Sequence, residues 1–214
     1  MMKNYGIPVA SEGWPFIIPL ALITALLFAF GWKNTAYVSL VLTLFVLFFF
    51  RDPERLVPKG TNLVVSPADG RVIVIKDVYE PDFLKQDVKQ VSIFLSVFNV
   101  HVNRAPVGGT VETVKYNPGK FHVASVDKAS LENEQTGMVI VNGKHKILVK
   151  QIAGLIARRI VCYAKPGDVL APGERYGLIR FGSRVDLFLP KDTELKVKVG
   201  DRIKGVRDII GVLQ

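Results

Sequence analysis

A Gly-Ser pair, Gly182 and Ser183, interrupts an otherwise apolar, strand-like stretch, "RFGSRVDLFLP" (residues 180–190). Glycine inside a strand marks a bulge, a bend or a close backbone approach. A serine hydroxyl becomes a nucleophile when a base and an orienting group stand near it. The carbonyl it attacks need not belong to a substrate. Gly182 has no side chain to block approach to its own carbonyl, and it tolerates the strained backbone that such an attack requires. Attack by Ser183 would convert the peptide bond to an ester. β-Elimination from that ester would split the chain and leave an α-keto group on the former serine. The spacing allows this chemistry without requiring it.

Two residues could serve such a serine. Asp69 lies in "SPADGRV" (66–72), a turn-forming cluster ahead of a strand, where Asp-Gly taken alone is an ordinary turn dipeptide. His101 lies in "FNVHVNRAP", read as strand, with Val100 and Val102 directed one way and the ring the other. A lone histidine on a strand is more often a hydrogen-bonded structural residue than a catalyst. His122 and His145 are equally ambiguous, and His145, beside a hairpin tip, is expected to be exposed. No pair of histidines has metal-ligand spacing, and no metal site is expected. Cys162 is the single cysteine, so no intrachain disulfide can form; it reads as a core or strand residue in a cytosolic compartment. P-loop, dinucleotide-binding and nucleophile-elbow motifs are all missing from the sequence.

The elements that must position these groups are mostly strands. After "RDPERLVPKG" (51–60), a polar linker and the natural domain boundary, come β-branched runs at 71–78, 88–98, 109–116, 137–154, 158–164, 176–181, 184–190 and 194–200. Strands at this spacing indicate an all-β sandwich or barrel. Asn142-Gly143 between two runs predicts a type I′ hairpin turn. "FHVASVDKASLENEQ" (121–135) lacks alternation and reads as loop with one short helix. "PADGRVIVI", "PVGGTVETV" and "AGLIARRIV" share a turn-glycine-strand shape, and "PGDVLAPGE" and "VGDRIKGVR" share Gly-Asp before an apolar residue. This echo suggests a mainly β domain, sandwich or barrel-like, built from hammerhead-type halves. It also supplies an alternative function, a membrane-tethered carrier or adaptor of the biotinyl or lipoyl kind. Lys144 is the hairpin-tip lysine, but it lacks a carrier's flanking residues, and no heptads of an adaptor hairpin appear.

Residues 14–50 carry one charge, Lys33, and form two apolar runs, Pro15 to Trp32 and Thr35 to Phe50. Each is close to the ~17–25 residues a spanning helix needs. Two runs, with two prolines in the first, do not fit a cleaved signal peptide. Residues 1–50 are therefore expected to form a membrane-anchoring helical hairpin. Lys3 before it and Arg51, Arg55 and Lys59 after it place both ends on the cytoplasmic face. The net charge is +9, of which about +8 belongs to the remaining domain, suited to anionic headgroups. Nothing in the sequence resembles a nucleic-acid-binding motif, and no nucleic-acid partner is expected.

"SPADGRV" (66–72), "FLSVFNVHVNRAPVGG" (94–109), "LENEQTG" (131–137), "KQIAGLIARRIVCY" (150–163) and "RFGSRVDLFLP" (180–190), in that order behind the apolar segment, closely resemble the short bacterial and archaeal class of phosphatidylserine decarboxylase proenzymes. The resemblance implies self-cleavage between Gly182 and Ser183 into a large β chain, 1–182, and a small α chain, 183–214, that stay together as a heterodimer. It implies a pyruvoyl group derived from Ser183, which condenses with the substrate amine and accepts electrons as CO₂ leaves, much as pyridoxal phosphate does elsewhere. The implied substrate is phosphatidylserine in the membrane, or archaetidylserine, its ether-linked counterpart.

The resemblance also distributes roles. Gly182 supplies the cleaved carbonyl, Asp69 orients or charges a histidine, and His101 transfers protons. Longer members carry His-x-x-His, whereas position 104 here is Arg104, so the identity of the cleavage base stays open. Longer members also carry Leu-Gly-Ser-Thr where this chain has Phe-Gly-Ser-Arg, which suggests Arg184 as a substrate phosphate contact.

Overall fold

The computed structural model describes residues 8–119, 133–154, 159–180 and 183–214. Two units divide between Glu54 and Arg55. In the first, a short 3-10 turn, Ser11–Gly13, leads into helices α1 (Trp14–Ala29) and α2 (Lys33–Phe49). Leu22, Ile23 and Leu26 of α1 and Val38, Val41 and Leu44 of α2 are exposed, so the helices are apolar well beyond the face they share. Such helices belong in lipid or inside a large core. Ser11–Ala29 is long and apolar enough to cross a membrane, whereas Lys33–Phe49 is shorter. One polar contact joins the pair: Thr24 Oγ1 lies 2.7 Å from Ser39 Oγ and 3.2 Å from Thr43 Oγ1. Hydrogen bonds between apolar helices contribute roughly 0.6–2 kcal/mol in lipid.

The second unit is mainly β. Its strands are β1 (Leu63–Val65), β2 (Gly70–Glu80), β3 (Gln86–Leu95), β4 (Val102–Arg104), β5 (Gly109–Asn117), β6 (Gln135–Asn142), β7 (His145–Ile152), β8 (Ile160–Cys162), β9 (Val169–Leu170), β10 (Arg175–Ile179), β11 (Ser183–Pro190), β12 (Glu194–Leu195), β13 (Arg202–Ile203) and β14 (Ile209–Val212). A curled sheet runs β13-β2-β3-β11-β7-β6-β5-β9, and two small sheets run β1-β14-β12 and β4-β10-β8. Val91, Ile93, Leu95, Ile147, Val149, Val185, Leu187 and Leu189 alternate onto one face of the large sheet and fill the main core. The intervening residues Val88, Leu148 and Phe188 build a smaller cluster on the other face.

Two members of the sequence echo, "PADGRVIVI" and "PVGGTVETV", form a structural repeat, whereas "AGLIARRIV" runs partly outside the described residues. Val65 N–H donates to Pro106 O at 2.9 Å, and Arg104 N–H, 39 residues later, donates to Pro67 O at 2.9 Å. Val72 donates to Asp201 O (2.9 Å) and accepts from Gly200 N (2.8 Å); Val111 donates to Asp168 O (2.8 Å) and accepts from Gly167 N (2.8 Å). In each half a register shift follows, between Val72 and Val74 in β2 and between Val111 and Thr113 in β5. One extra residue reverses the alternation. Val72 and Ile75, like Val111 and Val114, therefore reach the core three residues apart. The small sheets correspond too, with Val64 opposite Gly211 in one and Asn103 opposite Gly177 in the other.

Several local expectations shift. Asn142 pairs with His145, so the turn residues are Gly143 and Lys144, not Asn142 and Gly143. Gly143 has φ 56° and Lys144 does not share a positive φ, the pattern of a II′ rather than a I′ turn. His145 is half-buried rather than exposed, because it already belongs to β7. The run at 194–200 forms only the two residues of β12 before a turn. His101 stands just before β4, and it and both flanking valines are buried, so no strand alternation separates them.

Candidate active site

Three neighbouring strands leave the large sheet at one place. Chain direction carries β3 into β4, β7 into β8, and β10 back into β11. In the large sheet β11 lies between β3 and β7; in the small sheet β10 lies between β4 and β8. Ser183 is the first residue of β11 and stands opposite Leu95, the last residue of β3. Beyond the break, Ile179 N–H donates to His101 O at 3.4 Å and Arg180 N–H to Arg159 O at 3.2 Å. The backbone of His101 thus lies beside Ile179, four residues before Ser183. Gly182 itself lies outside the described residues, as do Phe181 and His122.

Local bonds prepare both side chains. Ser183 is fully buried and its Oγ makes no hydrogen bond. An unpaired buried hydroxyl costs about 1–3 kcal/mol. His101 Nδ1 lies 2.9 Å from Asn99 O. A carbonyl can only accept, so Nδ1 carries the proton of the neutral ring and Nε2 is the basic nitrogen. The Asn99 carbonyl is held by a turn in which Asn99 Oδ1 accepts from Ser96 N (2.9 Å) and Ser96 Oγ (2.8 Å). Arg104 is buried with Nη1 3.4 Å from Gly173 O. A guanidinium stays protonated and supplies no base.

Asp69 ends the turn before β2, which lies two strands from β11 across β3, about 10 Å by strand spacing. Its carboxylate faces Arg55: Nη1 donates to Oδ1 and Nη2 to Oδ2 (2.9 Å). Gly205 N–H also donates to Oδ1 at 2.7 Å, and Gly205 O accepts from Arg55 Nη1 at 2.6 Å. Sequence reasoning treated Arg55 as linker charge, because one arginine among prolines and acids gives no sign of a partner. In the structure it is the main partner of Asp69, buried with it.

Arg184 takes the opposite face of the strand from Ser183. Its Nε donates to Asp186 Oδ1 (2.6 Å) and its Nη2 to Ser92 Oγ (2.8 Å), while Gln90 Nε2 donates to Asp186 Oδ2 (3.0 Å). These bonds tie β11 to β3. On the same face Lys150 Nζ donates to Glu80 Oε1 at 2.8 Å and lies 5.2 Å and 5.1 Å from the ring centres of Phe83 and Phe188. Burial alone would raise the Glu80 carboxyl, but the Lys150 bond and the N–H groups of Leu84 and Phe83 outweigh it and hold the carboxyl below its ordinary value. A phosphate contact beside Ser183 does not follow from this placement of Arg184.

The core face holds two further polar residues that sequence reasoning passed over, Asn103 and Gln151. Gln151 Nε2 donates to Asn103 Oδ1 at 2.9 Å and to Val161 O at 3.3 Å. Asn103 Nδ2 and Gln151 Oε1 are buried without a partner. Burial pushes the Cys162 thiol up to about 11, as an inert strand residue requires. Among the described residues no group of three or more side chains could hold a metal ion.

Comparison with known proteins places these features in a family context. The family described as Phosphatidylserine decarboxylase matches residues 42–211. A phosphatidylserine decarboxylase proenzyme of Geotalea uraniireducens (strain Rf4) is 50% identical over 213 residues, covering 99% of this chain and 100% of that protein. Proteins of the same name from Desulfotalea psychrophila (strain LSv54 / DSM 12343) and Ralstonia pickettii (strain 12J) are 48% and 47% identical. The first alignment covers 98% of this chain and 99% of the relative, and the second 100% of both.

Proposed function

The chain belongs to the phosphatidylserine decarboxylase family, and from that premise we propose that it converts phosphatidylserine to phosphatidylethanolamine with a pyruvoyl group made from its own Ser183. The observation that carries this reading is the Ser183 hydroxyl, buried and unbonded at the strand end where three strands leave the large sheet. A structural serine in a core would find a partner. A serine reserved for attack on the preceding carbonyl has reason to lack one.

Self-cleavage needs a base for the Ser183 proton, and the Nε2 of His101 is the candidate. The Ser183 Oγ forms an ester with the Gly182 carbonyl as the amide bond between them breaks. Loss of the Ser183 Cα proton then breaks the Cβ–O bond and releases Gly182 as a carboxylate. Water adds to the remaining enamine and ammonia leaves. The backbone of β11, paired on both sides from Arg184 onward, holds the new end in place. The resulting pyruvoyl group supplies an electron sink for the carbon that loses CO₂. His101 then returns a proton to that carbon, and Asp69, fixed by Arg55, sets the electrostatics of the neighbouring strand end.

The apolar helices α1 and α2 anchor the catalytic unit to the membrane that contains its substrate. Basic residues flanking them favour the cytoplasmic face. Division before Ser183 would give chains of 1–182 and 183–214 that remain paired. The relatives support a decarboxylase and lend nothing to the carrier reading.

Intact mass spectrometry of the purified chain beside Ser183→Ala tests the proposal. The wild type should give two fragments divided after Gly182, the smaller lighter than its sequence by one ammonia, and should release CO₂ from phosphatidylserine. The variant should stay whole and inactive. A folded wild type that remains one intact chain would overturn the pyruvoyl mechanism.

A further inference from the structure

Two buried amide groups lie beside Ser183 with hydrogen-bonding capacity that the fold does not use. The orientation of each is fixed by its surroundings. Val161 O can only accept, so the Gln151 atom 3.3 Å from it is the nitrogen; that nitrogen also donates to Asn103, so the Asn103 atom facing it is the oxygen. Asn103 Nδ2 is left with its N–H donors and Gln151 Oε1 with its acceptor, both buried and unpaired.

Register places the pair near the proposed reaction centre. Gln151 stands opposite Val185 and shares the core face of the sheet with it. Ser183 is two residues before Val185 on that same face, which makes Ser183 and Gln151 diagonal neighbours on adjacent strands. Ser183 Oγ, Gln151 Oε1 and Asn103 Nδ2 are therefore three unpaired polar groups around one end of β11.

The repeat supplies an internal control. Asn103 opposite Gly177 corresponds to Val64 opposite Gly211 in the other half, and both positions are fully buried. The fold is satisfied there by an apolar side chain. Only the half that contains Ser183 puts an amide at this position, so the amide answers to something other than packing.

We propose that Asn103 and Gln151 form the seat for the serine head group of the lipid, with Asn103 Nδ2 donating to its carboxylate and Gln151 Oε1 accepting from its amine. One donor beside one acceptor is the complement of an α-amino acid. Both partners are neutral, which suits the reaction. The carboxylate charge disappears as CO₂ forms, and a cation bound to it would stabilise the starting state more than the transition state. In the uncut chain the polar atoms of the seat are buried. This assignment rests on the decarboxylase reading above.

The product lacks the carboxylate, so Asn103 distinguishes substrate from product. The test uses full-length, self-processed protein in detergent micelles containing phosphatidylserine, with phosphatidylethanolamine added as inhibitor. Asn103→Val adopts the residue that the equivalent half already tolerates. Asn103→Asp keeps the acceptor for Gln151 and replaces the donor with a second, charged acceptor that opposes a carboxylate. Both variants should divide before Ser183 as the wild type does. The KM for phosphatidylserine should rise tenfold or more, while inhibition by phosphatidylethanolamine changes less than twofold. A parallel change in both constants, an unchanged KM, or loss of self-cleavage in Asn103→Asp would overturn the seat. Failure of the wild type to divide would instead strike the decarboxylase reading itself.

Discussion

Arg55 grips Asp69 through both terminal guanidinium nitrogens, and Gly205 closes the ring by donating to the carboxylate and accepting from the arginine. The side chains are 7% and 9% exposed, so solvent screens the pair little. Taking one partner from a buried ion pair leaves an uncompensated charge. Arg55→Met should lower the stability of the protein by about 3–5 kcal/mol, with Arg55→Lys intermediate because it cannot hold both oxygens. Urea denaturation followed by tryptophan-independent far-UV dichroism measures this. A loss below about 1 kcal/mol would mean that the pair is worth no more than a surface salt bridge.

Gly177 is required by approach rather than by φ. A Cβ there would meet Val161 O at 2.1 Å and Gln151 Nε2 at 3.1 Å. The first neighbour is backbone of the adjacent strand and cannot turn aside. Gly177→Ala should destabilise by about 1–3 kcal/mol as β10 and β8 separate. Gly31→Ala is not a fair control because its φ of 75° adds strain. Ala164→Ser, a change of similar size at a buried site that needs no strand separation, should cost less. Thermal denaturation of the two variants decides it.

Glu80 links acid stability to the charged face of the sheet. Its carboxyl is held below the ordinary value of 4.5, so the folded state binds the proton less readily than the unfolded chain. The associated stability is present above the unfolded value and is lost as pH falls through the folded one. Glu80→Gln should therefore be less stable than wild type at pH 7, with the difference shrinking below about pH 4.5 as wild-type Glu80 protonates. Denaturation midpoints from pH 3 to 7 measure the gap. A gap constant with pH would show that the Lys150 contact contributes through packing alone.

Local pattern made most of the strands legible. Alternation in "RVDLFLP" and "VKQVSIFL" marks β11 and β3, and the two apolar runs mark α1 and α2. Short strands such as β1, β4 and β14 escaped because three or four residues cannot display a period. The hairpin turn was displaced by one residue, since Asn142-Gly143 suits I′ geometry locally but the pairing of Asn142 with His145 decides the register. At the site, Ser183 announces itself through the glycine before it and Asp69 and His101 through familiar motifs. Arg55, Asn103 and Gln151 give no such sign. Their positions depend on contacts 14 to 150 residues distant in sequence, and only the assembled sheets bring those partners together. The partners of Arg184 were equally hidden: Asp186 is two residues away on the same face of its strand, but Ser92 comes from the neighbouring strand, 92 residues back.

The middle position of β11 also fixes when the catalytic unit can fold during synthesis. Until residues 183–190 have been made, β3 and β7 each lack the partner that joins them, and the large sheet exists only as two separate ribbons with open inner edges. After Pro190 come β12, β13 and β14, which complete the remaining pairings. Helices α1 and α2 precede every strand and need none of them to form their own hydrogen bonds. Closure of the sheet therefore waits for the strand that begins at Ser183, and the residue proposed to react also starts the element that completes its own surroundings.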